Sequence, residues 1–552
     1  MSFFDAEQMS SKIATWKFVG LDNYFTLKAT SFPSSLAMLF KVWLYCGIVV
    51  FILALLFATM LTSGVYGKGF FRSMLYLTNV IPQIALGYMW TLYVFSARFG
   101  MLKKVFTSMG LDGIANFAWT SPDNMFISMC IAYVFSCTGY FMLQYMAAIE
   151  GIPRSLYEAA EIDGATRTSQ FLTITFPLIR NTLVTSLTLW TSRVCAFFAL
   201  SRVFVSSKTV SPLMYIYNVL FGSDSSNTAV GVGAAASVVV ALIVVTVFAI
   251  SNLIPKNKDI ELYEDVMHNN RKGNNIRLRQ QVRLIPGYIL LIFWCIFIFV
   301  MLGWIVIASL STTKEIFSDN LLNSGLHWEN YSHVIKNGHL ITAFLNSLLY
   351  SSVSVVLSLL ICAPAAYGLA RFNFRFSETI KRLLVVGLGV PGVMIIMPLF
   401  SIVSALNASN SKITLIIIYV VTSIPFSTFY LLPAFSDISA SYEEAAAIDG
   451  CGPLRTFWTI VFPLAGTSVT TLIIFQFIGK WNEYFMALIF AGSTENMSLS
   501  VALYQLIIAM TREGGWSGMF AAVTFVSAPT IILYILLSKR IIGGVTAGGL
   551  KG

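Results

Sequence analysis

Apolar runs of about 20 residues recur between residues 42 and 537, each long enough to cross a hydrocarbon layer as a helix. That recurrence constrains the fold more than any single motif. With 57% hydrophobic and 11% charged residues, the chain falls far below the roughly 25% charge of soluble domains. An ordinary soluble enzyme, a disordered chain and a disulfide scaffold are therefore excluded. A membrane β-barrel would need short alternating segments, and none is present. The predicted class is an all-α polytopic membrane protein. Its formal charge of +10 comes from 35 basic against 25 acidic residues. The basic residues sit mostly in short loops between apolar runs, as in cytoplasmic anchoring, so no nucleic-acid partner is predicted. Six of seven cysteines fall inside apolar runs, Cys451 lies in a polar loop, and no C-x-x-C pair exists, so neither disulfides nor a thiolate metal site is indicated. The first 18 residues are too polar for a signal peptide.

About 11 transmembrane helices are predicted: 42–63, 73–96, 124–147, 182–205 and 230–254, then 285–309, 340–369, 383–405, 413–435, 468–492 and 519–538. Between the fifth and sixth lies the polar stretch 256–283, with seven Lys or Arg. It reads as a linker joining two modules.

Those modules repeat each other. Residues 158–178 read EAAEIDGATRTSQFLTITFPL and residues 444–464 read EAAAIDGCGPLRTFWTIVFPL, with twelve of 21 positions identical at an offset of 286. Upstream, Asn23-Tyr24 matches Asn330-Tyr331 at an offset of 307. The difference fits the long loop 97–123 of the first half against the short one near 406–412. Six spans separate the matched loops, an even number, so both loops lie on one side and the repeat is parallel. With the loops inside, 20 Lys or Arg fall on their side and 13 on the other, and the linker alone supplies that excess. The predicted organisation is an extracytoplasmic segment over 1–41, a first module over 42–254, a cytoplasmic basic linker over 255–284 and a second module over 285–552.

Each loop carries E-A-A-x-x-x-G followed 13 residues later by Pro: Glu158, Ala159, Ala160, Gly164 and Pro177, then Glu444, Ala445, Ala446, Gly450 and Pro463. Glu-Ala-Ala forms helix readily and lets another surface approach closely. Gly164 and Gly450 can end that helix with positive φ. A second short helix over 171–176 or 457–462 would present aromatic knobs before the proline stops it. A helical hairpin of this kind suits docking in a groove, although one lying unpartnered at the membrane surface has the same pattern. The motif resembles the EAA loop of binding-protein-dependent ABC importer permeases, over 150–180 and 436–467 here. Two different copies, each preceded by an Asn-Tyr segment, resemble the first and second permease subunits of maltose-type carbohydrate importers fused in one chain, and the ending GGVTAGGLKG is similar to that of the second subunit. The resemblance implies the type I importer fold in a multi-pass protein of the plasma membrane. It also implies that the eight loop residues Glu158, Ala159, Ala160, Gly164, Glu444, Ala445, Ala446 and Gly450 couple to two ATP-binding cassette subunits. A sugar-binding protein would act outside, and ATP and Mg would bind only to the partner subunits. Against that family, the first half begins just before its Asn-Tyr segment, without the usual leading span.

No phosphate-binding loop is present: Gly67-Lys68 and Gly479-Lys480 are followed by Gly and Trp rather than Ser or Thr. The four histidines, His268, His327, His333 and His339, lack metal-ligand spacing, and no nucleophile stands beside a base. The chain is predicted not to hydrolyse ATP itself and to hold no cofactor or metal. Gly231, Gly233 and Ala234 to Ala236 read as a helix-packing surface. The rival class is an ion-coupled secondary sugar or solute transporter, which usually places carboxylates mid-membrane. Only Glu483 lies well inside a span, and its spacing predicts a pair with Lys480 on one helix face. Arg193 is the other informative intramembrane charge. Trp190, Arg193 and Phe197 fall on one helical face, and Tyr133 and Tyr140 on a face of the preceding span. Aromatic faces with a fixed donor suit a sugar path; a packed core with Arg193 bonded to backbone carbonyls has the same spacing.

Overall fold

The computed structural model describes residues 1–5, 16–221, 230–253, 285–389 and 395–549. The basic linker over 255–284, with His268, lies outside the described residues. Among the described residues the only strands are a two-residue antiparallel ladder pairing Phe4 with Phe18. Among the described residues eight helices are long and apolar enough to cross a membrane: Phe32–Thr62, Met125–Glu150, Arg180–Val203, Val230–Val247, Ile285–Ser309, Leu340–Arg371, Lys412–Ser436 and Trp516–Ser538. They correspond one to one with eight of the eleven predicted spans. The first helix starts earlier than predicted, at Phe32, within the stretch 1–41 read as the N-terminal segment. Pro33 opens that helix, and Lys41 lies within it rather than at its edge.

Arg180–Val203 is itself interrupted at residues 196–198; of the other three predicted spans two are broken helices, and residues 390–394 of the third, 383–405, lie outside the described residues. The stretch 73–96 divides into Lys68–Val80, Gln83–Met89 and a π-turn at Trp90–Val94. Pro82 pushes Ile81 into extended backbone (φ −66°, ψ 133°), which ends the first piece. The stretch 383–405 contains the ends of Ser377–Gly389 and Ile396–Ala405, and 468–492 divides into Gly466–Trp481 and Phe485–Phe490. Apolar content marks such stretches as membrane-embedded but says nothing of where the backbone turns.

The repeat is as plain in three dimensions. Arg180–Cys195 and Ala199–Val203 sit 286 residues before the starts of Gly466–Trp481 and Phe485–Phe490. Gly47–Thr62 packs along Met125–Glu150, as Leu340–Arg371 packs along Lys412–Ser436. The Asn23 side chain donates to the carbonyls of Ser2 and Phe4, both at 3.0 Å, and Asn330 to those of Ser309 and Ser311, both at 2.9 Å. Both acceptor pairs are related by the same offset of 307. The Asn-Tyr segments are thus amide clamps on the chain that precedes them. Gly231 lies against one clamp: a Cβ there would meet the Phe4 carbonyl oxygen at 2.3 Å, while Ala234, Ala235 and Ala236 are buried.

The modules interlock. Ile285–Ser309 packs on Lys68–Val80 and on Trp516–Gly549. Trp304 stacks on Tyr93 at 3.8 Å, Asn482 donates to the Val80 carbonyl at 2.8 Å, and Tyr534 donates to that of Ser73 at 2.9 Å. Meanwhile Ile289, Phe293 and Ile296 of the same helix are exposed, as a lipid-facing stripe requires. Where Met125–Glu150 crosses Lys68–Val80, a Cβ on Gly139 would stand 2.2 Å from the Leu75 carbonyl oxygen. Backbone cannot yield as a flexible side chain does, so Gly139→Ala is expected to cost about 1–3 kcal/mol. Gly303→Ala, with nothing within 4 Å, is the control. Equal melting temperatures of the two variants in detergent would contradict this crossing.

On the side away from the matched loops, Glu315 closes a capping box with Thr312 and accepts from the Ser324 amide and hydroxyl at 2.5 and 2.7 Å. The Thr312 amide first, then Ser324, holds its carboxyl down to about 2 from the usual 4.5. Because the folded value is the lower one, this contribution to stability is full above 4.5 and is lost as pH falls through about 2. Amide protection across residues 311–327, taken relative to the intrinsic exchange rate at each pH, is expected to be flat from neutral pH to about 5 and to fall towards 2. Glu315→Gln should show the lowered protection at neutral pH as well.

Candidate functional site

Both matched loops fold alike. The first helices are Arg154–Ile162 and Ser441–Ile448, and Gly164 and Gly450 follow with φ of +77° and +76°. The Ala165 amide returns to the Ala160 carbonyl at 2.9 Å and the Cys451 amide to that of Ala446 at 2.8 Å, the closing bond of a glycine helix stop. Glu158, Ala159, Glu444 and Ala445 are exposed, whereas Ala160 is half-buried and Ala446 buried. The reading of composition overlooked one pair: Ile162 and Ile448 are each 87% exposed, at the same position of both loops. Each loop therefore presents a carboxylate, an alanine and a bare isoleucine side by side. The signal was available, because Ile-Asp-Gly is identical in the two copies.

The second half of the hairpin differs from expectation. The turns Phe171–Thr175 and Phe457–Val461 are π-helical, and Phe457 points inward against Tyr367 and Phe435 rather than out as a knob. The outward apolar groups are Leu172, Phe176, Leu454 and Trp458. Pro177 and Pro463 do not stop a helix; each opens the next turn, Phe176–Leu178 or Phe462–Leu464, where a missing N–H costs nothing. The chain then bends by 79° into Gly466–Trp481. In the second module the loop is strapped to the end of Leu340–Arg371, not to the span that leads into it. Arg371 donates to Glu443 at 2.8 Å and to the Ile438 carbonyl. In the first module Tyr157 and Thr175 share a 2.8 Å hydroxyl bond.

Inside the membrane the five candidate path residues divide into two groups. Tyr133, Trp190 and Phe197 are only 2%, 1% and 2% exposed. Tyr133 packs on Trp190 at 5.5 Å and on Phe197 at 4.7 Å, and the Trp190 indole donates to the Trp43 carbonyl. Phe197 lies beyond the end of Arg180–Cys195, so it does not continue the helical face of Trp190 and Arg193. Arg193 is half-buried beside Tyr140. Its guanidinium lies 4.4 Å from that ring centroid, donates to Asn79 Oδ1 at 3.1 Å and reaches Cys137 Sγ at 3.8 Å. Its partners are side chains, not backbone carbonyls.

Lys480 and Glu483 do not pair. The helix ends at Trp481, so the spacing no longer places them on one face. Lys480 donates to Gln476 at 2.6 Å, and Gln476 donates to Ser427. Glu483 instead caps Phe485–Phe490, accepting from the amides of Met486 and Ala487 at 2.7 and 3.0 Å and from the Tyr419 hydroxyl at 2.6 Å. A second intramembrane arginine, Arg202, lies beside the rings of Tyr217 and Tyr504, each centroid 5.1 Å away. Sequence spacing could not assemble this group, because Tyr504 lies in the other module.

Among the described residues, no three His, Cys, Asp or Glu side chains gather as metal ligands. Two stretches, residues 29–259 and 358–545, match the family described as binding-protein-dependent transport system inner membrane component. The permease protein NgcG of a diacetylchitobiose uptake system in Streptomyces coelicolor is 29% identical over 264 residues, which is 48% of this chain and 87% of that protein. SmoH, a sulfoquinovosyl glycerol transport permease of Agrobacterium fabrum, is 33% identical over 45% of this chain and 87% of its own length. MalG, a trehalose/maltose transport permease of Thermococcus litoralis, is 29% identical over 50% and 98%. A solved chain of a bacterial ABC transporter that imports alginate resembles 48% of this one, covering 99% of itself, with 23% identity and a TM-score of 0.43. NgcG, SmoH and MalG each fill about half of the chain, in line with two fused subunits. With both halves matched and the loop geometry repeated at one offset, the chain belongs to the binding-protein-dependent transport system inner membrane components, as a multi-pass membrane protein carrying two permease units in one polypeptide.

Proposed function

We propose that the chain is the permease of an ATP-driven importer of carbohydrate, with each EAA loop docked on one ATP-binding cassette subunit. The observation that carries this is the pair of loops, alike in backbone and in exposed Glu, Ala and Ile, on one side of a parallel repeat. Closure of an ATPase dimer draws its two docked loops together, and in the second module the 79° bend passes that motion to the span behind the loop. ATP and Mg bind on those partners, and a soluble sugar-binding protein delivers substrate from outside. The carbohydrate assignment rests on what the relatives named above transport. Arg193 and Tyr140 line the sugar path, a guanidinium beside an aromatic face, while Tyr133, Trp190 and Phe197 brace that wall from behind. The ion-coupled alternative gains nothing from Glu483, whose oxygens are already held by three donors.

Proteoliposomes carrying the chain with its two ATPase subunits and binding protein test the proposal. Uptake of labelled oligosaccharide is expected to need ATP and to persist when proton and sodium gradients are collapsed. Uptake that follows either gradient without ATP would overturn it.

A further inference from the structure

Phe198 and Tyr484 are equivalent at the 286-residue offset, and their rings stack on each other at 5.9 Å. Repeat-equivalent residues touch only beside the axis relating the repeats. The two broken spans thus meet at their breaks on that axis, along which a path between the modules runs. Arg202 stands four residues beyond Phe198, near the end of Arg180–Val203 away from the coupling loops. Tyr217 of its own module and Tyr504 of the other each bring a ring centroid to 5.1 Å from its guanidinium. Tyr484 lies 5.8 Å from Tyr504.

This cage lacks an anion. The Arg202 guanidinium lies 3.9 Å from the Met214 sulfur and within hydrogen-bond reach of the Tyr504 hydroxyl, both neutral, and its buried Nε and the buried Tyr484 hydroxyl have no hydrogen-bond partner. Among the described residues five Lys or Arg ion pairs form, and none includes Arg193, Arg202 or Lys480. Three cations within the spans therefore rest on neutral partners, while Glu483 is consumed in capping. A transporter of neutral sugars gains nothing from that imbalance, since each cation costs free energy to bury. An anionic solute offsets it.

We infer that the transported carbohydrate is acidic, and that Arg202 receives its carboxylate or sulfonate beside the Tyr217 and Tyr504 rings. This rests on the carbohydrate reading above and narrows it. The planar guanidinium can present two parallel N–H groups to such an anion, and the tyrosine faces pack on the sugar ring. Arg193 and Lys480 are further cationic contacts deeper in the spans.

The test uses the full chain in nanodiscs of neutral lipid, titrated at fixed ionic strength with a short oligogalacturonate, a neutral oligogalactan of equal length and sodium sulfate. Uptake by the reconstituted importer is measured for both sugars. Wild type is expected to favour the acidic oligomer by roughly tenfold, the scale of one charge-assisted contact. Arg202→Gln is expected to abolish that preference without lowering the melting temperature of unliganded protein. Arg202→Lys, which keeps the charge and folds as wild type, should retain part of it. Equal binding and uptake of both sugars would overturn this inference and leave the carbohydrate reading standing. A response to sulfate as large as to the uronate would overturn it as a saccharide site. A preference unchanged in Arg202→Gln would remove Arg202. Failure of both sugars to bind and enter would overturn both readings.

Discussion

Replacing Glu158 and Glu444 together by Lys abolishes ATP-driven uptake while the chain still inserts and melts as wild type. Both carboxylates are exposed and neither makes an ion pair among the described residues, so the fold loses little when they change. What changes is the surface offered to the ATPase, whose facing residues are expected to be basic by the family resemblance. Two like charges brought together at a desolvated interface cost several kcal/mol where two opposite ones steered docking. Each single replacement leaves one loop engaged and should retain ATP hydrolysis with weaker coupling. A milder probe acts through the backbone. Gly164 and Gly450 sit at φ +77° and +76° with nothing within 4 Å, so Val at either meets no neighbour, only left-handed strain. That strain, about 1–2 kcal/mol, should swing the Ile162 or Ile448 side chain out of register and lower coupling. Transport at wild-type rate by the double Lys variant would remove the loops from the coupling path.

Legibility in the sequence followed the range of the forces involved. The coupling loops were readable because a helix of Glu and Ala with a positive-φ glycine is specified within ten residues, and a second copy served as an internal check. Eight spans were readable because lipid solvation demands uninterrupted apolar length. The breaks at residues 196–198 and 482–484 were not, because they fall inside apolar stretches with no Pro or Gly to mark them, whereas the one at 81–82 is marked by Pro82. Glu483 shows the cost: three residues from Lys480 implies a helical pair only if the helix continues, and it ends at Trp481. The aromatic residues followed the same rule. Trp190 and Phe197 fit one helical face on paper, yet Phe197 lies past the last helical turn and both are buried against Tyr133. Arg202 was visible only as a second arginine nine residues after Arg193, since Tyr217 and Tyr504 reach it from other elements.

Arg193→Ala is the second large effect, and its two possible readouts separate a path residue from a packing one. Arg193 links Arg180–Cys195 to Lys68–Val80 through Asn79 and to Met125–Glu150 through Tyr140. Removing it leaves the Asn79 carbonyl oxygen and a ring face open, but the braced cluster of Tyr133, Trp190 and Phe197 behind it makes no bond to Arg193 and should hold the helices in place. A hydrogen bond to a charged donor contributes about 1.5–3 kcal/mol, so uptake should fall roughly tenfold to a hundredfold. ATPase stimulation by the loaded binding protein should stay near wild type, because the coupling loops lie at the far end of the helix. Arg193→Lys should recover only part of the uptake: an ammonium keeps the charge but cannot span Asn79 and a sugar oxygen with one plane of donors. If Arg193 merely packs, stimulation, uptake and melting temperature fall together, and the protein that survives binds sugar unchanged. Uptake at the wild-type rate would take Arg193 out of the path altogether and leave the Arg202 cage as the surviving candidate for sugar contact.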